Sequence, residues 1–331
     1  MAKIKNLPHY LGQHKSFTVA LVWVIIICLI AIFAPLIAPQ DPYEADLANA
    51  IMAPSAEHWF GTDKLGRDLF SRVIYGTRTS VSAALTLVAI IAVVGTTLGI
   101  LAGWFGGAVD AVIMRIADMF VAFPGMILAI AVAGFLGASI TNAIIAISLV
   151  SWPKYARLSR SLVLKIRNRD YVAAAQVTGS KTGYILIKYM LPNALPTILI
   201  TAATDIGSMM LEIASLSFLG FGAQSPTAEW GLMLNEGRAY MTAAPYLMVF
   251  PGLAIFVTVM GFNLLGDSLR DVLDPRSDTS VNKKKSKKKA KREVVTNEEK
   301  EASSDNSVGS GDSVPSLAVG RMRKLGQLRL D

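Results

Sequence analysis

Apolar residues in this chain gather into long unbroken runs, separated by stretches of charge, glycine or proline. The first run, Phe17 to Ile37, follows Lys3, Lys5 and Lys15. A helix needs about 20 residues to cross a hydrocarbon core of roughly 30 Å, and a signal peptide holds only about 7 to 15 apolar residues. The run therefore predicts an uncleaved anchor rather than a cleaved leader. A polar segment, 38–78, comes next. Apolar character returns near Val81 to Gly103, Val112 to Phe135, Ala143 to Tyr155 with an extension back to Ile140, Leu195 to Phe218, and Pro245 to Leu265. This pattern predicts an all-α polytopic membrane protein with six transmembrane helices.

Lysine and arginine in the connections set the orientation. Between the fourth and fifth runs stand Lys154, Arg157, Arg160, Lys165, Arg167, Arg169, Lys181 and Lys188, against the single acid Asp170. That connection is expected to be cytoplasmic. Counting spans outward places both termini in the cytoplasm and the segment 38–78 outside, and the uncharged stretch Gly134 to Asn142 fits an external loop. On the second run Gly95, Gly99, Gly103 and Gly107 recur every four residues. Such a stripe lets another backbone approach closely; pore lining is the alternative.

Composition divides the molecule in two. Hydrophobic residues make up 53% and charged residues 17% of the 331, with a net charge of +8; a soluble domain has about 25% charged residues. Residues 277–331 hold 13 Lys and Arg against 8 Asp and Glu, whereas the other 276 hold 19 against 16. The tail has too few apolar residues to bury a core and reads as a basic, disordered cytoplasmic tail. With most of the excess there and much of the rest on one membrane loop, nucleic acid is not an expected partner. The cluster Lys283 to Arg292 reads as solvated tail, or as a contact with anionic membrane lipid. Cys28 stands alone, and His9, His14 and His58 lie far apart. No intrachain disulfide and no His/Cys metal site is expected, and no cofactor in this chain.

The most informative connection is YVAAAQVTGSKTGYILIKYMLPN, Tyr171 to Asn193. Ala173, Ala174 and Ala175 favour a short helix, Gly179 permits a turn that other residues take at a cost, and Pro192 marks the start of the next span. Two short helices joined at Gly179 on the cytoplasmic face form an element suited to docking. This segment resembles the loop of ABC importer permeases whose pattern is E-A-A, three residues, G, nine residues, I, one residue, L-P. Gly179, Leu191 and Pro192 stand at the matching offsets, while Ala173 replaces the glutamate and Tyr189 the isoleucine. HWFGTDKLGRDLFSRVIYGTRTS (58–80), LSFLGFGAQSPTAEWG (216–231) and NLLGDSLRDVLDPR (263–276) are similar to the dipeptide, oligopeptide and nickel branch of these permeases.

The resemblance implies a type I ABC importer permease fold. Its domain would span 79–276, with five helices and a coupling loop at 157–192, preceded by the cytoplasmic N-terminus 1–16, the first helix 17–37 and the extracytoplasmic segment 38–78. It implies a plasma or inner membrane subunit that pairs with a second permease, receives di- or oligopeptides from an extracytoplasmic binding protein, and is driven by two ATPase subunits that carry ATP and Mg. Import of nickel or a metal chelate by the same architecture is the alternative. The coupling contact would involve Tyr171, Ala173, Ala174, Ala175, Gly179, Leu191 and Pro192. No catalytic role is expected of this chain: at Gly179-Ser180-Lys181-Thr182, Ser180 and Ala175 occupy the places where a Walker A loop needs glycine.

Other residues are weighed on their own chemistry. Asp205 and Glu212, seven residues apart in the fifth run, project from nearly one face, and charge at membrane depth normally faces a water-filled path or a partner. They are translocation-path candidates, or structural groups paired with buried polar neighbours. Arg115 and Asp118 have the i,i+3 spacing of an internal pair. Asp63, Arg67 and Asp68, beside Gly61 and Gly66, form either an outer-gate or binding-protein contact or a self-contained turn. Glu229 and Trp230, with Glu236 and Arg238 beyond, are further candidates for meeting the binding protein. A secondary transporter working without ATPases competes with the importer reading, but the sequence has no evident inverted repeat. A membrane enzyme has no converging acid, base or nucleophile.

Overall fold

The computed structural model describes residues 15–273. The tail 277–331 with its lysine cluster, and the N-terminal stretch apart from its last two residues, lie outside the described residues. Within them the secondary structure is helical, apart from an isolated bridge between Thr62 and Asp68.

Helix α1, Lys15–Ile37, coincides with the first apolar run. Helix α2, Leu69–Phe105, starts well ahead of the expected Val81 because Asp68 caps it, accepting a hydrogen bond from the Ser71 amide at 2.8 Å. At 1.5 Å per residue its 37 residues make a rod about 55 Å long. The third run does not form one straight span. Helices α3, Gly107–Val121, and α4, Gly125–Leu136, meet at a bend of 91°. Pro124 has no amide hydrogen to donate and pushes Phe123 out of the helical region, so a continuous helix breaks there.

Helix α5, Ile140–Arg167, continues through Arg157 and Arg160. The loop expected from residue 157 therefore begins only at Asn168. Two short helices follow, α6, Asp170–Val177, and α7, Thr182–Ile185, then a single π turn, Leu186–Met190, that runs into α8, Leu191–Phe218. Helix α9, Trp230–Gly237, and helix α10, Tyr246–Leu273, complete the described chain.

By length and composition four described stretches suffice to cross a membrane, Ser16–Ile37, Leu69–Phe105, Thr182–Phe218 and Tyr246–Asp271, or five if the bent α3–α4 pair is one span. Helix α5 is long enough, with 28 residues, but carries Lys154, Arg157, Arg160, Lys165 and Arg167. Composition alone thus stops short of the expected six.

The glycine stripe is a packing surface against α5. A methyl group built on Gly95 would lie 2.5 Å from Tyr155 Cβ, and one on Gly103 would lie 2.9 Å from Val163 Cβ. Gly99 meets Ser159 and Ala156 in the same way. The fourth expected member departs: α2 ends at Phe105, Gly106 and Gly107 turn with φ of +65° and +49°, and nothing lies close to Gly107. Elsewhere Gly207 accommodates Asn263, and Gly266 accommodates Thr204, so α8 and α10 also approach closely.

Candidate functional site

At one end of α2 sits the element joined at Gly179. Helix α6 ends in a Schellman turn: the Ser180 amide donates to Ala175 O and the Gly179 amide to Gln176 O, both at 3.0 Å. Gly179 takes φ +77°. No atom lies near where its side chain would be, so backbone conformation, not space, requires glycine here. Val172, Ala175, Ile185 and Met190 turn inward against Ile100, Trp104 and Val163. Tyr189 joins Tyr171 and Tyr184, with ring centroids 5.9 and 6.1 Å apart, which accounts for an aromatic where the family pattern has isoleucine. Arg167 lies over the Trp104 ring at 5.9 Å and ties α5 to the end of α2. On the outward face Val177 is 88% and Ile187 71% exposed. Ala173 and Ala174 are exposed beside them. Leu191 and Pro192 open α8 directly behind this face.

The other end of α2 carries buried charge. Asp63 holds its own turn, accepting from the Leu65 and Arg67 amides at 2.8 and 3.1 Å, and pairs with Arg67 Nε at 2.6 Å and Arg72 Nε at 3.3 Å. Glu236 takes Arg67 Nη2 at 3.1 Å, Lys64 at 3.4 Å and Arg72 Nη2 at 3.5 Å. Arg72 Nη1 also donates to Pro42 O at 3.0 Å and Pro226 O at 3.3 Å. The side chains of both arginines are 1% exposed. Asp68 caps α2 and faces His58 Nδ1 at 3.1 Å. A buried network of this kind fixes geometry, because removing one partner strands another charge.

Glu229 and Trp230 belong to the same frame. Glu229 caps α9, accepting from the Gly231 and Leu232 amides at 3.0 and 2.8 Å and from Ser80 Oγ at 3.3 Å. Burial pushes its carboxyl above the ordinary range, against the downward pull of those amides and of the Ser217 and Ser80 hydroxyls. Trp230 donates from Nε1 to Val73 O at 3.0 Å and fills the space that Gly76 leaves. Both are buried. Asp63, Arg67 and Asp68 are buried too, in a turn joined to Arg72 and Glu236 by ion pairs.

The acids of α8 part company. Asp205 is buried and accepts from Lys154 Nζ at 2.7 Å and Tyr155 Oη at 3.0 Å, both on α5. Glu212 is half-buried and, among the described residues, makes no ion pair or hydrogen bond. Arg115 and Asp118 do not pair: Asp118 takes Arg157 at 2.8 Å, because α5 extends far enough to bring Arg157 alongside α3. Arg160 pairs with Asp110 in the same manner. These interhelical partners were hidden in the sequence because Lys154, Arg157 and Arg160 read as loop charge. Among the described residues no group of His, Cys, Asp and Glu is placed to hold a metal ion.

Known proteins with similar sequences bear on this arrangement. The family described as binding-protein-dependent transport system inner membrane component matches residues 95–279, and the N-terminal TM domain of oligopeptide transport permease C matches residues 9–54. The dipeptide transport system permease protein DppC of Alkalihalophilus pseudofirmus is 44% identical over 266 residues, covering 80% of this chain and 88% of that protein. The nickel transport system permease protein NikC of Escherichia coli K12 is 43% identical, covering 80% of this chain and 96% of NikC. The glutathione transport system permease protein GsiD of Escherichia coli O6:K15:H31 is 49% identical over 265 residues, 80% of this chain and 87% of GsiD. Among solved structures, an inward-facing MetNI methionine ABC transporter chain is 18% identical, with a TM-score of 0.50 over 62% of this chain and 98% of that one, a likeness of fold.

Proposed function

This chain belongs to the family of binding-protein-dependent transport system inner membrane components, and on that premise we propose that it forms half of the route by which an ATP-driven importer admits di- or oligopeptides. It is a multi-pass membrane permease subunit, a transporting rather than a catalytic part. The proposal adds six spans, made by counting α5 and the bent α3–α4 pair, with both termini cytoplasmic. It also adds a second, unlike permease subunit, two cytoplasmic ATPase subunits that hold ATP and Mg, and an extracytoplasmic binding protein.

The observation that carries this reading is the Gly179 element: an apolar underside packed on α2 and α5, and an outward face that exposes Val177 and Ile187. In this reading Tyr171, Ala173, Ala174, Ala175, Gly179, Leu191 and Pro192 build the piece that seats in an ATPase. Its underside grips the last turns of α2 and α5, so closure of the ATPases moves those helices as rigid bodies. Ala173 offers a methyl group, and the contact is therefore apolar at that position. The buried charges of Asp63, Arg67, Asp68 and Glu229, with Trp230, serve as the rigid outer gate frame. An apolar groove of about 450 Å³ between α2 and α8, lined by Leu85, Val88, Leu195 and Leu199 among others, suits the second permease subunit.

Nickel import is the second reading, favoured by the likeness to NikC over nearly its whole length. Reconstitution with the partner subunits tests the proposal: uptake of a labelled dipeptide that requires the binding protein and ATP is expected. Flux through this chain alone in liposomes would refute it in favour of a secondary transporter.

A further inference from the structure

The fifth apolar run was a candidate path because it carries two acids, and the structure gives those acids different fates. Asp205 faces inward and is matched by Lys154 and Tyr155. Glu212 lies only about 20° round α8 from Asp205 but is less buried, and it shares its side of the helix with Thr197, Thr201, Ser208 and Ser215. These five residues stand at offsets of 0, 4, 11, 15 and 18, which at about 100° per residue fall within roughly 60° of one another. Thr197, Ser208 and Ser215 are exposed, and Thr201 and Glu212 half-buried. Thr201 Oγ1 donates to Thr197 O at 2.9 Å, and Ser215 Oγ to Leu211 O at 2.7 Å. With their protons turned back onto the helix, these hydroxyls present lone pairs outward. A face of outward oxygen acceptors with one unmatched carboxylate is not a lipid-facing surface, where apolar side chains belong. Glu212 lies six residues, about 9 Å, before the end of α8 at Phe218, near the Glu229 end of the bundle.

We infer that this face of α8 is a wetted wall of the translocation route, and that Glu212 meets the positively charged group of the cargo, an ammonium or a divalent cation, and disfavours anions. The inference rests on the permease reading and deepens it. Asp205, about 20° further round the helix, has its charge matched by Lys154, so Glu212 supplies the net negative charge of this wall. A carboxylate in a narrow wet passage concentrates cations and repels anions.

The test uses the complete importer in proteoliposomes with Cys28→Ser, and a single cysteine from Ser208→Cys or Ser215→Cys. Labelling of this chain is followed by mass with a cationic and an anionic methanethiosulfonate. Both reagents are expected to reach the cysteine, the cationic one roughly tenfold faster after correction for reactivity with free cysteine. Adding Glu212→Gln should remove the preference. Labelling by neither reagent would place this face in lipid or inside a dry interface and overturn the inference. A preference unchanged by Glu212→Gln would overturn the role of Glu212. A separate arm measures ATP-dependent uptake of L-Ala-L-Ala and of Ni²⁺. Whichever the Cys28→Ser importer carries should fall several-fold with Glu212→Gln, and an unchanged rate would overturn the cargo contact. An importer that carries neither cargo contradicts the dipeptide and nickel readings of the substrate, and the labelling result still decides whether the wall is wet.

Discussion

The two ends of α2 are built from similar residues to opposite effect. Near Leu69, three cations and two carboxylates, Lys64, Arg67, Arg72, Asp63 and Glu236, close on one another. Near Phe105, the segment after α5 carries Arg169, Lys181 and Lys188 and exposes Val177 and Ile187. Charge that is matched inside the chain builds a fixed frame. Exposed apolar side chains of this kind make a surface suited to another molecule. One rod of about 55 Å joins the two.

The sharpest way to break this contrast is at the frame. Glu236→Gln leaves the buried Arg67 and Arg72, and Lys64, with Asp63 as their one remaining carboxylate partner, and should destabilise the permease by about 3 to 5 kcal/mol. Thermal unfolding of the assembled importer measures it, and an unchanged midpoint would show that the network contributes no rigidity. The second perturbation acts at the other end. Gly179→Val forces a β-branched residue to positive φ at a cost of about 1 to 2 kcal/mol, which favours a rearranged turn. Membrane insertion should persist while uptake falls to background; normal uptake would remove the coupling role.

The body of this architecture was legible in the sequence where physics acts locally. Apolar runs, the small-residue helix before Gly179 and the first three members of the glycine stripe depend on near neighbours, and each appears in the structure. The bend at Pro124 was equally local, yet the uniform apolarity on either side of it suggested one span. Partners distant in sequence were not legible. Arg67 and Glu236 are separated by 169 residues, and Lys154 and Asp205 by 51. A membrane-depth acid demands a partner, but the pattern alone does not say which cation supplies it. Burial was the other blind spot: Glu229 and Trp230 looked like surface residues because charge and tryptophan in a loop usually reach outward.

Smaller effects sharpen the contrast further. Val177→Asp places a charge on the exposed apolar face and should weaken retention of the ATPases about 10- to 100-fold, as expected for truncating an anchor worth about 1 to 3 kcal/mol. Stability of the permease itself should stay unchanged, because the side chain is 88% exposed. Copurification at graded detergent and salt reads both. The smallest effect concerns pH. The Glu229 carboxyl is raised in the folded chain, so the native state holds its proton more tightly than the unfolded state does. Its stabilising contribution is full below the ordinary carboxyl range and declines as pH rises through it. Glu229→Gln should remove that decline, seen as a flatter dependence of the unfolding midpoint between about pH 4 and 7; an identical slope would mean that Glu229 is ionised without penalty.

The most direct measurement places a photoreactive side chain at position 177 or 187 of the complete importer in membranes and identifies what it captures. The account predicts an ATPase subunit at both positions, with capture lost in Gly179→Val. Capture of lipid alone, or of the extracytoplasmic binding protein, would contradict it.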